Sequence, residues 1–229
     1  MAEIIVKNTP LRRAWRKFAQ LSVFLLLRLL YRVRVYGIEN IPKEGPGLLV
    51  CNHQSYIDPF FCHSWVWRPF FYVARENLFR GFMDKLLRSL FVIPIKQGQS
   101  DLAAMKAIIG VIQQGNIICL YPEGSRTFDG RLDEVKPGIS LITRRTGAPL
   151  LPMVVEGLYE AWPRTQKWPS LFKPVSVMYG KPMTADHIKD IGDKAFTQEL
   201  TEIFQTMQNN LRVKMGREPF DYSSEDDPQ

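Results

Sequence analysis

Cysteine and histidine are both scarce, at three each in 229 residues. Cys51, Cys62 and Cys119 lie within or beside apolar runs and form no CxxC pair. Their odd number cannot make a disulfide framework, which favours a reducing compartment. Cys51, His53, Cys62 and His63 can be assembled into a metal set on paper. Their spacing matches no zinc pattern, and buried Cys otherwise behaves as a small apolar residue, so neither a metal nor a cofactor is expected. A long apolar run is missing too. The uncharged stretch 18–27 has ten residues, against the ~20 needed to cross a bilayer. No small-residue cleavage site follows it, which fits a secretory signal peptide poorly. The G-x-S-x-G elbow of serine hydrolases is absent, as are internal repeats and low-complexity blocks.

Positive charge, by contrast, is abundant and unevenly placed. The net charge is +7, and residues 1–40 alone hold eight Lys and Arg against Glu3 and Glu39, an excess of +6. A nucleic-acid binder spreads its basic residues over a folded face with aromatics between them. Here they flank a greasy run, which points to an anionic membrane surface and away from nucleic acid. Residues 10–31 read as one helix in which Trp15, Phe18, Leu21, Phe24 and Leu25 fall near one another, the pattern of an interfacial, monotopic anchor. A helix packed on the core and a true span with a snorkelling Arg28 are the competing readings. Together with the reducing compartment, the anchor reading places the chain at the cytoplasmic face of a membrane.

After that helix, strands and helices alternate. Apolar runs of strand length occupy 33–37, 48–52, 70–74, 91–95, 116–121, 149–155 and 175–179. Helical periodicity covers 58–67, 77–90, 101–114, 137–146 and 184–215, with Ser100 as a cap, Gly115 and Gly147 as stops and a break at Gly192. Residues 157–173 carry aromatics and basic residues without periodicity and read as a surface loop, packed by its own rings or touching lipid. The expectation is one α/β domain: a mixed, largely parallel sheet flanked by helices, preceded by the amphipathic helix. Its divisions are residues 1–32 for the helix, 33–217 for the α/β domain and 218–229 for an acidic, flexible tail.

Ligands in such folds bind outside the carboxyl ends of the strands. His53 stands at the end of one strand. Asp58, read as the N-cap of a helix with Pro59 at its first position, sits where the chain turns back. A carboxylate on one ring nitrogen leaves the other free to take a proton, the arrangement of a general base; the competing reading is a structural His beside a capping Asp. At a second strand end, Gly124 permits close backbone approach, and Arg126 offers a planar fork for phosphate oxygens. Glu123 there either holds that fork or bonds a substrate hydroxyl, unless the pair is only a surface ion pair. Lys96, at the end of a third strand, adds a positive charge or is simply solvated.

Taken jointly, these blocks resemble the glycerolipid acyltransferases. Asn52-His53-Gln54-Ser55-Tyr56-Ile57-Asp58 is similar to that family's NHxSxxD block, and Tyr121-Pro122-Glu123-Gly124-Ser125-Arg126 to its FPEG[TS]R block. Residues 75–96 and Ala148-Pro149-Leu150-Leu151-Pro152-Met153 resemble two further blocks, all in the family's order. The nearest resemblance is to the PlsC-like 1-acylglycerol-3-phosphate acyltransferases. It implies that His53 is the base and Asp58 its partner, with Glu123, Gly124, Ser125 and Arg126 lining an acceptor glycerol-phosphate site to which Lys96 contributes. It also implies acyl transfer from acyl-CoA or an acyl-carrier protein to a lysophospholipid at a membrane. Lys96 stands where the family often has Arg and gives the charge without the bidentate fork; Tyr121 replaces a Phe. Other lysolipid acceptors, a non-catalytic membrane-binding module and a small hydrolase are the alternatives.

Overall fold

The computed structural model describes residues 9–95, 102–136 and 138–223. Its centre is a seven-stranded sheet of order β1-β7-β6-β2-β5-β3-β4. The strands are β1 (Arg32–Tyr36), β2 (Gly47–Cys51), β3 (Phe70–Arg75), β4 (Val92–Ile95), β5 (Ile117–Leu120), β6 (Leu150–Glu156) and β7 (Pro174–Tyr179). Only β6 and β7 run antiparallel; the other neighbours are parallel. Every residue of β2, β5 and β6 is buried, as expected of central strands covered on both faces.

The pleat divides the core. Leu48 and Val50 face one layer, built with α4 (Leu102–Gln113), α5 (Ile139–Thr146) and α7 (Ala185–Lys214); Leu49 and Cys51 face the other, built with α1 (Pro10–Leu30), α2 (Asp58–His63) and α6 (Leu158–Ala161). β1 is an edge strand, as its short alternating sequence suggests. Its following Gly37 has φ 69°, and a Cβ there would lie 2.1 Å from the Tyr179 carbonyl oxygen, so only glycine fits.

The helices depart from the sequence expectation where aromatic or basic residues override periodicity. The expected helix over 58–67 ends at His63: Arg68 turns back to donate to the Pro42 and Gly45 carbonyls, drawing the chain into β3. The expected helix over 77–90 splits into a 3-10 turn at Glu76–Leu78 and α3 (Gly81–Ser89), the join being Phe79, Arg80 and a positive-φ Gly81. Residues 157–173 are not all loop, since Leu158–Ala161 is helical. Ser100 and the start of the 137–146 helix lie outside the described residues. Gly192, with φ 78° and ψ 168°, does interrupt α7.

α1 is docked on the domain. Gln20 donates to the His63 and Val66 carbonyls, Phe24 meets Trp65 edge to face at 4.9 Å, and Leu27 is buried. Phe24 therefore belongs to the inward face. Phe18, Leu21 and Leu25 face outward and are exposed, whereas Trp15, also exposed, donates its Nε1–H to Ser89 Oγ at the end of α3. Among the described residues no helix is long and apolar enough to cross a membrane.

Beneath α1, His63 stacks on Phe70 at 5.1 Å and donates its Nε2–H to the Arg68 carbonyl (2.9 Å). Burial lowers its pKa from 6.5 to about 4. Between those values the unfolded chain binds the proton that the folded chain refuses, so this contribution is fully present above pH 6.5 and is lost as pH falls towards 4. Urea unfolding should give a larger stability loss between pH 7 and pH 4.5 for the parent than for His63→Gln. An equal loss would contradict the assignment.

Candidate active site

β2 and β5 are parallel neighbours, so their carboxyl ends deliver two polar segments side by side. Asn52 completes β2 with its side chain, accepting from the Val155 N–H and donating to the Val155 carbonyl of β6. His53 is then gripped by the segment after β5. Its N–H donates to Glu123 Oε1 (2.7 Å), and its carbonyl accepts from the Thr127 N–H (2.8 Å). The imidazole stacks on Tyr121 at 4.1 Å.

His53 Nδ1 lies 2.6 Å from Asp58 Oδ2, and the same oxygen accepts the N–H groups of Gln54 (2.8 Å) and Ser55 (2.9 Å). Asp58 is therefore not the helix cap expected from the sequence. It is the first residue of α2, Ile57 holds the cap position, and the carboxylate turns back into its own loop. Burial raises the Asp58 carboxyl above its ordinary value, against the opposing pull of His53 and the Ser55 N–H. The Asp58 side chain is fully buried while that of His53 is 21% exposed, so the carboxylate fixes Nδ1–H and leaves Nε2 as the ring's open nitrogen.

Across from this pair, Gly124 adopts φ 73°, and a Cβ there would lie 3.0 Å from Lys136 Nζ. Glu123 is buried, and its oxygens accept from the N–H groups of His53 and Asp133. It does not hold the Arg126 fork. It ties the β5 segment to His53, and burial pushes its carboxyl well above the usual carboxylate range. The Arg126 guanidinium lies 3.4 Å from the Tyr56 ring centroid, with Nη1 buried and without a hydrogen-bond partner. Arg164 donates to the Arg126 carbonyl (3.3 Å) and stacks over Phe128. Ser125 is half-buried in the same turn. Lys96 lies outside the described residues. Tyr56, Lys136 and Arg164 escaped sequence reasoning; for Arg164 the only signal was the mix of basic and aromatic residues in 157–173.

The family model described as Acyltransferase matches residues 32–156. The chain belongs to the acyltransferase family. It is 26% identical over 159 residues to a chloroplastic 1-acyl-sn-glycerol-3-phosphate acyltransferase of Arabidopsis thaliana, covering 67% of this chain and 44% of that one. A 1-acyl-sn-glycerol-3-phosphate acyltransferase of Bacillus subtilis is 24% identical, with 85% of this chain and 98% of that one covered. The chain thus spans about half the length of the plant relatives and nearly all of the bacterial one. Its fold matches the crystal structure of the 1-acyl-sn-glycerophosphate acyltransferase PlsC of Thermotoga maritima with a TM-score of 0.72 at 22% identity, over 92% of this chain and 86% of that one.

The chain also forms an apolar, partly open cavity of about 700 Å³ between α1, α2, α3 and the β3–β4 edge, bordered by Tyr56, Pro59 and Phe60 next to the His53 turn. That volume is typical of small-molecule sites. The residues of the metal set are otherwise engaged: His53 Nδ1 faces Asp58, His63 Nε2 faces Arg68, and Cys51 and Cys62 are buried. Among the described residues no group of three or more His, Cys, Asp or Glu is placed to hold a metal.

Glu123 and Arg126 should separate cleanly by stability. Glu123→Ala orphans two backbone N–H groups and should cost about 2–3 kcal/mol in urea unfolding. Arg126→Ala, which removes a side chain with an unpartnered Nη1, should cost less than about 1 kcal/mol. Equal losses would contradict the division of labour.

Proposed function

We propose that the chain transfers an acyl group from a thioester, either acyl-CoA or an acyl-carrier protein, to the free hydroxyl of a lysophospholipid, with 1-acylglycerol-3-phosphate as acceptor and phosphatidic acid as product. The observation that carries this reading is the 2.6 Å His53–Asp58 contact at a strand end flanked by a buried, unpartnered guanidinium N–H and an apolar cavity. His53 Nε2 removes the proton of the acceptor hydroxyl as its oxygen attacks the thioester carbonyl. Asp58 steadies the imidazolium, which returns the proton to the departing thiolate, so no enzyme nucleophile is required. Base catalysis of this kind supplies roughly 10²–10⁴ in rate, so positioning must supply a large share of the rest.

The acceptor phosphate meets Arg126, whose planar fork suits its oxygens, with Lys136 and Arg164 beside it. Tyr56 joins the two halves of the site, because its ring carries Arg126 and also borders the cavity. The acyl chain occupies that cavity among Val23, Phe60, Leu86 and Leu90. The exposed apolar residues of α1, with Arg12, Arg13 and Lys17, rest on an anionic membrane surface, in the manner of an interfacial helix.

An acyl-transfer assay of purified protein against a panel of lysolipids, with CoA and carrier-protein donors, tests the reading. His53→Ala should lower turnover at least about 10³-fold, while Arg126→Ala raises the KM of the phosphorylated acceptor more than that of the donor. Thioester consumption that needs no acceptor would mark a hydrolase instead. For the membrane contact, Leu21→Glu/Leu25→Glu should release the protein from vesicles containing phosphatidylglycerol without unfolding it. Retention on those vesicles would move the contact to the aromatic loop.

A further inference from the structure

The polar interior next to the His53 turn contains a buried carboxylate that the acyl-transfer reading does not use. Glu156, the last residue of β6, is 1% exposed. Its Oε2 accepts from Gln54 Nε2 (3.0 Å) and Gln208 Nε2 (2.7 Å), and its Oε1 accepts from Arg212 Nη1 (2.9 Å) and Arg217 Nη1 (3.3 Å). Gln54 is the residue between His53 and Ser55. Its amide is saturated: Nε2 also donates to the Gly130 carbonyl, and Oε1 accepts the N–H groups of Leu158 and Tyr159. The backbone N–H of that same Gln54 donates to Asp58 Oδ2.

A buried ion cluster of this kind is seldom retained for stability, because apolar residues of similar volume usually serve the fold as well or better. What it supplies is registration. Here the registration ends on the peptide that aims an N–H at Asp58. We propose that Glu156 is a positioning residue for the His53–Asp58 pair. It is held by Gln208 and Arg212 of α7 and by Arg217 beyond it, and it acts through Gln54. The C-terminal segment joins the same device: the Tyr222 hydroxyl donates to Gln208 Oε1 and accepts from the Leu132 N–H. In this account Gln208, Arg212, Arg217 and Tyr222, remote in sequence, govern how firmly the carboxylate of the pair is held. The inference rests on the proposed role of His53 and Asp58.

A double-mutant cycle with Asp58 tests it, in single-turnover acyl transfer by the full chain with the folded fraction measured in parallel. Glu156→Gln, which keeps the shape and one acceptor, should lower kcat about tenfold while leaving the KM of donor and acceptor within about twofold. In an Asp58→Asn background the same substitution should change kcat by less than about twofold, because the group it orients is gone. A tenfold loss that persists in that background, or one matched by the unfolded fraction, would overturn the proposal and leave Glu156 as a structural residue. Should Glu156→Gln fail to fold, Gln54→Met carried through the same cycle decides in the same way. If Asp58→Asn itself leaves kcat unchanged, it is the role of the His53–Asp58 pair that fails, and that result is distinct from additivity.

Discussion

The site depends on one carboxylate oxygen. Asp58 Oδ2 accepts three hydrogen bonds, from His53 Nδ1 and from the N–H groups of Gln54 and Ser55. A buried carboxylate without such donors would be too costly to keep ionised. With them it becomes the centre around which residues 53–58 close. The same closure dictates that Asp58 faces its own loop and not the N-terminus of α2. His53 thereby keeps one nitrogen committed and one open.

That closure would be insufficient on an isolated loop. It works because β2 sits between β5 and β6 and each neighbour reaches over the strand end. Glu123 and Thr127 from the β5 side hold the His53 backbone at both its N–H and its carbonyl. From the β6 side, Val155 pairs with Asn52, and Glu156 with Gln54. His53 is thus held through its backbone from the β5 side, while Asn52 and Gln54 are held through their side-chain amides from the β6 side. The polar residues of the motif act chiefly as fasteners.

Much of this was legible in the sequence, and for identifiable reasons. The alternation of strand and helix, the edge position of β1, the stop at Gly147 and the break at Gly192 each follow from periodicity or from a residue with a singular backbone preference. The pairing of His53 with Asp58 and the adjacency of the two motif loops were also readable. Three features were not. Glu123 reads as a holder of the Arg126 fork, a partner for a substrate hydroxyl or half of a surface ion pair, because sequence does not reveal which carboxylate is buried against backbone N–H groups of other segments. The helices over 58–67 and 77–90 were overextended, because Arg68 and Gly81 act through tertiary contacts and backbone conformation that periodicity does not register. Phe24 was grouped with the outward residues, although Trp65, far from it in sequence, turns it inward. Apart from Gly81, whose positive φ is local, each of these misses is a long-range contact overriding a local pattern.

The docking of α1 limits how the proposed membrane contact can be made. Gln20 closes two carbonyls at the end of α2, Phe24 packs on Trp65, and Ala19, Gln20 and Val23 form part of the cavity wall. A helix drawn upright into a bilayer would open that wall and break both Gln20 hydrogen bonds. A helix lying flat keeps the wall intact and still offers Phe18, Leu21 and Leu25 to the acyl region. In the proposed membrane contact, only the second geometry lets one helix both meet the bilayer and shape the apolar cavity beneath it. In the proposed function, a lysolipid could then move from the bilayer towards His53 with its chain passing from one apolar environment into another and its phosphate remaining on the cationic side of the turn.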